Sequence, residues 1–339
     1  MEKILRKQAL TNSSGLHNLQ PHGRISALSV RRLLFISALL CLILGTSSHV
    51  KADSSGVFTY QNGSFITINN SASDTPIGID NAGELLLAIG GYPGPISLLN
   101  GSTLVPISLG PGFTGGYGIS GNGTILGSYT LGSRTYFTDL GGSITYVSST
   151  ASNLAFFTGI NDQGQLIGDS VMFGQSPIEY NLNTSTATTI SFPGAITILP
   201  GINIPYDTTH LISINNEGEI LGEASGNIYF IYDAGTFTTL ALPAGYHPVD
   251  MNDNGQIVGN YINGQGIIEG FLDSSGTLSY INFNGNSDVN DTIIEGINDS
   301  GEIVGLYSDV PEPATILFLG LSLIGLVVFK REFVKQRNA

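Results

Sequence analysis

Between residues 53 and 309 the apolar positions form short runs that alternate with polar ones, and dipeptides rich in Gly and Asn separate the runs. Alternation with a period of two predicts β-strands, and no stretch of this region has the periodicity of a helix. One unit of nine residues occurs six times. It consists of an apolar residue, a polar residue that is most often Asn, two variable residues, Gly, a further variable residue, two apolar residues and, in five copies, a second Gly. The copies begin at Ile79, Ile119, Ile160, Ile214, Met251 and Ile297.

The unit has the chemistry of a tight reversal between two strands. An Asn or Asp side chain can accept a hydrogen bond from the backbone two residues ahead. The first Gly suits the positive φ of a short hairpin loop with a bulge, and the second Gly removes a side chain where another group packs closely. The first copy has Leu87 in place of the second Gly, so we expect it to pack differently.

A second hairpin is predicted between successive units, as at Val57–Ile68 and at Phe271–Ile281. Each period of about 40 residues then contains four short strands, which is typical of a β-propeller blade. Six units predict an all-β, six-bladed propeller over residues 53–308. If the Ile-Val-Gly strand is innermost, the last strand, Ile303–Tyr307, completes the blade that the first hairpin begins. A right-handed β-solenoid is the alternative, although its coils are usually shorter.

The units resemble the HAF-type extracellular repeats of bacterial surface proteins, which carry Gly-Ile-Asn-x-x-Gly-x-Ile-Val-Gly-x-Tyr. The third, fifth and sixth copies match this pattern best, and the first copy departs from it most. That family has no established activity, so the resemblance implies an extracellular location and a fold only.

The first 52 residues are predicted to be a secretory signal peptide that forms a helix and is cleaved after Ala52. Two arginines precede an apolar run of 13 residues at 33–45, and small residues follow it. As a helix this run would be about 20 Å long, which is too short to span a bilayer stably. A start at Val30, whose codon GTG also initiates translation, would leave a signal of 23 residues. We therefore expect residues 1–29 not to be translated.

Residues 309–339 contain three successive elements: Val310, Pro311, Glu312 and Pro313, then an apolar run of 16 residues at 314–329, then four basic residues. The apolar run predicts a transmembrane helix of about 24 Å, with the basic tail in the cytoplasm and the preceding domain outside. This order resembles the PEP-CTERM sorting signal of Gram-negative bacteria. In that family an exosortase, a membrane-embedded protease-like enzyme, reads the segment, and the carriers are linked with exopolysaccharide and biofilm production. The alternative is a plain membrane anchor.

Charge separates the middle of the chain from its ends. Residues 53–309 contain one basic residue, Arg134, against 23 acidic ones, a formal charge of −22. Such a surface repels phosphate backbones, so nucleic-acid binding is excluded. The single Cys of the chain, Cys41, lies in the signal peptide, so the middle region has no disulfide, thiolate metal site or Cys nucleophile.

Few residues of the middle region suit catalysis. Its two histidines, His210 and His247, each precede a repeat Gly by eight residues, so they occupy equivalent places in adjacent blades, too far apart to share one metal ion. The 23 acids offer candidates for a carboxylate pair that hydrolyses glycosides, which is the enzymatic alternative. Four of those acids lie in the repeat turns, where turn formation explains them: Asp80, Asp162, Asp253 and Asp299. We expect no catalytic residue and no cofactor.

Two sets of residues follow the second Gly. The first carries oxygen atoms that would line the axial channel, and hold Ca²⁺ or ordered water, if its strand is innermost: Ser128, Asp169, Glu223 and Asn260. The second set offers aromatic faces for stacking on sugars, with core packing as the alternative: Tyr129, Tyr261 and Tyr307.

These observations predict an exported protein that is anchored in the cytoplasmic membrane with its propeller outside and then reaches the cell surface or the extracellular matrix. The predicted role is a structural or binding component of the envelope or exopolysaccharide matrix, with polysaccharide as a candidate partner. A glycan-active hydrolase that uses Asp or Glu, and a protein-interaction platform in the envelope, are the alternatives.

Overall fold

In the computed structural model the described residues are 55–309, with gaps at 69–72, 108–112, 132, 172–174, 199–204 and 284–288. They form 26 strands and one helical turn, α1 (Ser149–Ser152). The first strands in chain order are β1 (Gly56–Gln61), β2 (Ser64–Ile68), β3 (Thr75–Ile79), β4 (Leu85–Ala88), β5 (Ile96–Asn100), β6 (Thr103–Ile107), β7 (Phe113–Ile119), β8 (Ile125–Leu131), β9 (Ser133–Leu140), β10 (Ser143–Tyr146), β11 (Ala155–Ile160), β12 (Gln165–Ser170) and β13 (Ile178–Asn181). The others are β14 (Thr186–Thr189), β15 (Ile196–Ile198), β16 (Pro205–Asp207), β17 (His210–Ile214), β18 (Ile220–Ala224), β19 (Ile228–Asp233), β20 (Thr236–Thr239), β21 (Tyr246–Met251), β22 (Gln256–Ile262), β23 (Ile268–Ser274), β24 (Thr277–Ile281), β25 (Val289–Ile297) and β26 (Ile303–Asp309).

Twenty-four of these strands form six antiparallel sheets of four strands each. Blades 1 to 5 have the orders β3-β4-β5-β6, β7-β8-β9-β10, β11-β12-β13-β14, β17-β18-β19-β20 and β21-β22-β23-β24, and blade 6 has the order β25-β26-β1-β2. The remaining pair, β15 and β16, forms a hairpin between blades 3 and 4, which accounts for the long step of 54 residues between Gly164 and Gly218. The predicted all-β, six-bladed propeller is confirmed.

The first strand of each blade lies next to the axis. It contacts the first strand of the next blade all the way round, from β3 through β7, β11, β17, β21 and β25 back to β3. The expectation that the Ile-Val-Gly strand is innermost is therefore wrong, because that strand is second in every blade. The inner strands approach one another closely: a methyl group on Gly118 would be in van der Waals contact with Cα of Gly159 at 3.7 Å, and one on Gly296 with Cα of Gly78 at 3.5 Å. Gly or Ser stands just before the repeat turn in five of the six inner strands, which lets their backbones converge, and blade 5 has Asp250 there.

Blade 6 is built from both ends of the described chain. Strand β1 pairs antiparallel with β26, with Gly56 opposite Tyr307 and Tyr60 opposite Ile303. The predicted closure of the ring is thus confirmed. One detail differs, since the C-terminal part supplies two strands to this blade and not a single one.

The second Gly of the repeat has the role predicted for it. A side chain at Gly259 would overlap the carbonyl oxygen of His247 on the inner strand, and one at Gly168 would overlap that of Phe156. In blade 1, Leu87 stands at this place and is fully buried in a cluster with Val57 of blade 6, so this copy does pack differently.

The hydrophobic core lies between neighbouring blades. Leu126 and Tyr136 of blade 2, for example, pack with Phe157 and Leu166 of blade 3, and all four side chains are fully buried. The rings of Tyr136 and Phe157 meet edge to face at 5.3 Å. Each blade therefore depends on its neighbours for burial, as expected for repeats that bury one continuous core by stacking.

Several predicted features fall outside the described residues: the signal peptide with its cleavage site at Ala52, the sorting residues Val310 to Pro313, and the apolar run at 314–329. Within the described part of the chain, no helix has the length and apolar character needed to cross a bilayer.

Candidate functional site

The repeat turns lie together at one face of the propeller, which we name the turn face. In each turn a polar side chain caps the reversal. Oδ1 of Asn298, for example, accepts hydrogen bonds from the backbone N–H groups of Ser300 and Glu302, at 3.1 and 2.9 Å. The cap fixes the direction of the Asn side chain and leaves its amide free to donate elsewhere.

That amide joins one blade to the next. Asn161 donates to the carbonyl oxygen of Asn215 at 2.9 Å, and Asn252 donates to that of Asn298 at 2.9 Å. Asn298 in turn donates to the carbonyl oxygen of Asp80 at 2.8 Å. Four of the six blades use this bond, since Asn215 completes the series with a longer contact of 3.5 Å.

The residues after the repeat Asn form a second ring of hydrogen bonds. The backbone N–H of Asp162 donates to Oδ1 of Asn216 at 2.8 Å, and that of Asn216 donates to Oδ1 of Asp253 at 2.6 Å. The series continues from Asp253 to Asp299 at 2.8 Å and from Asp299 to Asn81 at 2.9 Å. These aspartates therefore hold neighbouring blades together, whereas the sequence analysis recognised only their part in the turns.

The ring concentrates negative charge at the turn face. Burial raises the pKa of Asp253, and the carboxylate of Asp299 raises it further, against hydrogen bonds from Asn216 that lower it. Burial likewise raises the pKa of Asp80, which stands where four other blades have Asn. The mixture of amides and carboxylates limits this repulsion, because the side-chain amides of Asn81 and Asn216 donate hydrogen bonds to the carboxylates of Asp299 and Asp253.

An axial cavity of about 230 Å³ is bounded by these rings and by all six inner strands. Its wall combines apolar residues, among them Ile77, Ile212 and Val249, with four acids: Asp250, Asp253, Glu295 and Asp299. A space of this size and polarity accommodates several water molecules or one small polar molecule.

Asp250 ties three blades together at the cavity wall. Oδ1 accepts hydrogen bonds from Oγ of Ser213 at 2.5 Å and from the backbone N–H of Met251 at 2.9 Å. Oδ2 accepts one from the backbone N–H of Ile297 at 2.9 Å. Desolvation raises the pKa of Asp250, and the bond from Ser213 opposes that rise. The carboxyl group is thus committed to holding blades 4, 5 and 6.

Glu295 differs from Asp250 because the structure gives its carboxyl group no hydrogen-bond partner among the described residues. It lies where a bulge in β25 interrupts the pairing with β26, between Ile294 and Gly296. Burial alone raises its pKa to about 7. This is an acid whose charge state changes near neutral pH within the axial cavity. Sequence reasoning missed it, because no turn or motif marks a bulge residue.

The oxygen atoms predicted to line the axis lie on second strands and do not form an axial set. Ser128 Oγ contacts the hydroxyl of Tyr117 at 3.0 Å. The side chain of Asn260 instead forms two hydrogen bonds with the backbone of Ile294 in the next blade. It accepts one from the N–H group at 2.7 Å and donates one to the carbonyl oxygen at 2.9 Å. Within the described ranges, no three His, Cys, Asp or Glu side chains are grouped as a metal site would require.

The other two members of that set lie near the histidines. Oδ2 of Asp169 is 3.2 Å from Nδ1 of His210, and Glu223 stands opposite His210 in the pairing of β17 with β18. His247 is equivalent in the next blade, where its Nδ1 is 2.8 Å from the hydroxyl of Tyr229. Each histidine thus contacts the preceding blade, and the two have separate partners.

The opposite face, where the inner strands begin, is named the strand-start face. On blade 5 it carries a tyrosine cluster, defined as Tyr246, Tyr261 and Tyr280. The rings of Tyr246 and Tyr261 stack at 4.7 Å with only 9° between their planes, and Tyr280 lies 5.4 Å from Tyr261 with 58% of its surface exposed. Tyr246 of β21 pairs directly with Tyr261 of β22. Once the strand order is known, this pair can be found by counting residues along both strands away from the repeat turn that joins them.

A carboxylate beside this cluster organises its polar edge. Glu269 accepts hydrogen bonds from the hydroxyl of Tyr261, from Nδ2 of Asn263 at 2.9 Å and from Nδ2 of Asn282 at 2.9 Å. Desolvation, and the bond to Glu269 after it, raise the pKa of Tyr261. Desolvation also raises the pKa of Tyr246 to about 12, with a contribution from the hydroxyl of Tyr280. The phenols of Tyr246 and Tyr261 therefore stay neutral and serve as hydrogen-bonding groups.

The other two predicted tyrosines are less well presented. Tyr307 stacks on Phe283 at 4.2 Å and covers Gly56, so its faces are used within blade 6. Tyr129 lies 6.4 Å from Tyr146, whose side chain is 57% exposed. Of the three, Tyr261 alone belongs to a group of rings with an organised set of polar neighbours.

Comparison with known proteins adds two findings. Residues 309–331 match the model of the PEP-CTERM protein-sorting motif. No curated protein matches the sequence.

Solved structures resemble the propeller at low sequence identity. A putative TolB from Agrobacterium tumefaciens has a TM-score of 0.54 at 12% identity, over 76% of this chain and 99% of that one. TolB from Acinetobacter baumannii has a TM-score of 0.45 at 14% identity, over 85% and 71% of the chains. An Aleuria aurantia lectin in complex with Fucα1-6GlcNAc has a TM-score of 0.40 at 14% identity, over 71% and 89%. At such identities the likeness concerns the fold alone. The chain therefore combines a six-bladed β-propeller with a PEP-CTERM sorting motif, which implies an exported, membrane-associated protein that an exosortase processes.

Proposed function

We propose that this protein is a component of the cell surface or exopolysaccharide matrix of a Gram-negative bacterium, and that its propeller binds saccharides without cleaving them. A signal peptide over residues 1–52 and a transmembrane helix at 314–329 would hold the propeller outside the cytoplasmic membrane until an exosortase acts. The sorting motif at 309–331 supports this route. The likeness of the repeat units to HAF-type extracellular repeats agrees with it.

The tyrosine cluster of blade 5 is the observation that carries the binding proposal. A sugar ring presents an apolar face of C–H groups and an equatorial rim of hydroxyls, so it suits an aromatic face next to amides and carboxylates. Tyr280 supplies an exposed ring, while Glu269, Asn263 and Asn282 supply a fixed polar edge. The hydrogen bonds among these groups hold the edge in place before a ligand arrives, which reduces the entropy cost of binding.

The hydrolase alternative has less support. Asp250 and Glu295 have raised pKa values and line one cavity, as a carboxylate pair would. However, hydrogen bonds from three groups occupy the oxygens of Asp250, and a cavity of about 230 Å³ is too small to admit a polysaccharide chain. A protein-interaction platform would not need the tyrosine cluster. Variants of that cluster therefore distinguish the platform from the saccharide binder.

The proposal is tested by co-sedimentation of the purified full-length protein, in detergent, with exopolysaccharide from the producing bacterium. Replacement of Tyr280 by Ala should weaken binding at least about fivefold, because one aromatic contact contributes about 1 kcal/mol beyond its buried area. Tyr146→Ala is the matched control, since that tyrosine is equally exposed, at 57%, but lies on blade 2. It should bind as the wild type does.

The same samples separate the alternatives. New reducing ends that accumulate during incubation would favour the hydrolase. Absence of binding by the wild type, or equal losses in Tyr280→Ala and Tyr146→Ala, would refute saccharide binding at the tyrosine cluster.

A further inference from the structure

Arg134 is the one basic residue between 53 and 309, where it is accompanied by 23 acidic residues. In so acidic a domain a surface guanidinium has many carboxylates available as partners, and an ion pair is the ordinary arrangement. The contact found among the described residues between a basic side chain and a carboxylate is instead that of His210 with Asp169, at 3.2 Å. Arg134 has no carboxylate partner among the residues that the structure describes.

Aromatic groups surround the guanidinium. One of its N–H groups donates to the hydroxyl of Tyr136 at 3.4 Å, and Cζ lies 5.3 Å from the ring centre of Phe156 in the next blade. The hydroxyl of Tyr136 and those of Tyr117 and Tyr92 raise the pKa of Arg134, so its charge is retained at any physiological pH. Such contacts orient an arginine side chain and leave most of its five N–H donors unused.

The position is open to ligands. Phe156 is 48% exposed and Tyr92, which connects β4 to β5 in blade 1, is 56% exposed. Tyr92 follows the end of β4 and Arg134 lies at the start of β9, so both are at the strand-start face of adjacent blades. Desolvation raises the pKa of Tyr92, and the charge of Arg134 opposes that rise. Three blades thus contribute one cation and two exposed aromatic rings to the strand-start face. The carboxylate of Asp169, opposite Phe156 in the pairing of β11 with β12, lies 3.2 Å from Nδ1 of His210.

We propose that Arg134, Tyr92 and Phe156 form a subsite for a saccharide that bears a single carboxylate among neutral sugars. A planar guanidinium with unused donors matches a carboxylate through two parallel hydrogen bonds. The flanking rings suit the C–H faces of the sugar that carries it. The formal charge of −22 repels a densely charged polyanion, so the ligand is sparsely charged and mostly neutral. This inference deepens the saccharide binding proposed above, at a second place on the same face.

The experiment compares two pairs of probes, each with one acidic and one neutral member: aldotetraouronic acid with xylotetraose, and sialyllactose with lactose. Affinities for the purified full-length protein are measured by ligand-observed NMR at 50 mM and 500 mM NaCl. We expect at least one acidic probe to bind tenfold or more tightly than its neutral partner, and the difference to shrink at high salt. Arg134→Gln should abolish the preference, and Arg134→Lys should restore only part of it, because an ammonium group lacks the planar fork.

Controls keep this proposal separate from the proposed function. Tyr280→Ala should lower affinity for the exopolysaccharide and leave the acidic preference intact, whereas Arg134→Gln should do the reverse. Neutral and acidic probes that bind equally, or a preference that survives in Arg134→Gln with an unchanged melting temperature, would overturn the subsite alone. Absence of binding by both acidic probes would also overturn it, as would tighter binding of an N-acetylated dipeptide carboxylate, which would indicate a peptide ligand.

Discussion

Asn298, in the last repeat turn, donates a hydrogen bond of 2.8 Å from its side-chain amide to the main-chain carbonyl oxygen of Asp80, in the first. The two residues are 218 positions apart in the chain, so this bond joins the sixth blade to the first. It repeats a contact that Asn161 and Asn252 make to their own neighbours. The residue that forms the turn is therefore also the residue that joins the blades.

Replacement of Asn298 by Ala should destabilise the propeller by about 3 kcal/mol. The side chain is buried, and its loss leaves the carbonyl of Asp80 and the N–H groups of Ser300 and Glu302 unpaired. Unpaired buried polar groups cost about 1–3 kcal/mol each, with relaxation and water reducing the sum. Urea denaturation measures the change. Asn62→Gly is the control, because Asn62 is exposed in the turn from β1 to β2 with a φ of 52° and should tolerate Gly.

Replacement of Asp80 by Asn should stabilise the first blade. Asp80 stands at the position that is Asn in four blades, and burial raises its pKa. Asp80→Asn keeps the oxygen that accepts from the N–H groups of Ala82 and Glu84, and it adds a donor directed at blade 2. One additional hydrogen bond contributes about 1 kcal/mol. A urea midpoint that does not increase at pH 7 would show that the amide finds no acceptor in blade 2.

The sequence was sufficient to predict the number of blades, the strand content and the closure of the ring, because turn chemistry repeats six times with little change. It was insufficient for strand order within a blade. The Ile-Val-Gly-x-Tyr strand was expected to be innermost, and its Gly was interpreted only as a place of close packing. The close neighbour proves to be a carbonyl oxygen of the inner strand, as at Gly259 against His247, and not the axis.

This single error in strand order put the predicted ion-binding residues at the wrong place in the fold. Ser128, Asp169, Glu223 and Asn260 were assigned to the axis from a position that is actually second in the sheet. Glu295 and the partners of Tyr261 were missed for a different reason. Contacts across a bulge or between separate strands depend on register, and register cannot be counted along the chain until pairing is known.

Alanine in place of Gly259 should destabilise the protein by about 3 kcal/mol or more. A methyl group there would overlap the carbonyl oxygen of His247 and lie against the ring of Phe271, so blade 5 would have to open between β21 and β22. Overpacking of this kind typically costs about 1–3 kcal/mol, and more where backbone atoms are the obstacle. Gly264→Ala is the control, because nothing lies within 4 Å of the added methyl group. Equal melting temperatures for the two variants would contradict the assigned role of the second Gly.

Glu295 should make the propeller less stable as pH rises towards neutrality. Burial raises its pKa to about 7 from an ordinary value of 4.5, so the folded protein binds this proton more tightly than the unfolded chain does. The stabilisation by the bound proton is fully present below about pH 4.5 and is lost as pH rises through about 7. A pKa difference of this size corresponds to about 3 kcal/mol. The free energy of unfolding, measured in urea from pH 4 to 8, should fall across that window.

The effect of Glu295 is isolated by comparison with Glu295→Gln, whose side chain has nearly the same shape and no charge. Asp250 lies in the same cavity wall with a raised pKa and contributes a slope of the same sign, so the wild-type curve alone is not decisive. Near pH 4 the two proteins should have similar stability, because the wild-type carboxyl is then neutral. Near pH 8 the variant should be more stable, by up to about 3 kcal/mol less the cost of burying an unpaired amide. Glu217→Gln, at an exposed residue of the turn face, should follow the wild-type curve. Parallel curves for the wild type and Glu295→Gln would mean that the carboxyl group is hydrated in solution and that its burial does not control the stability of the ring.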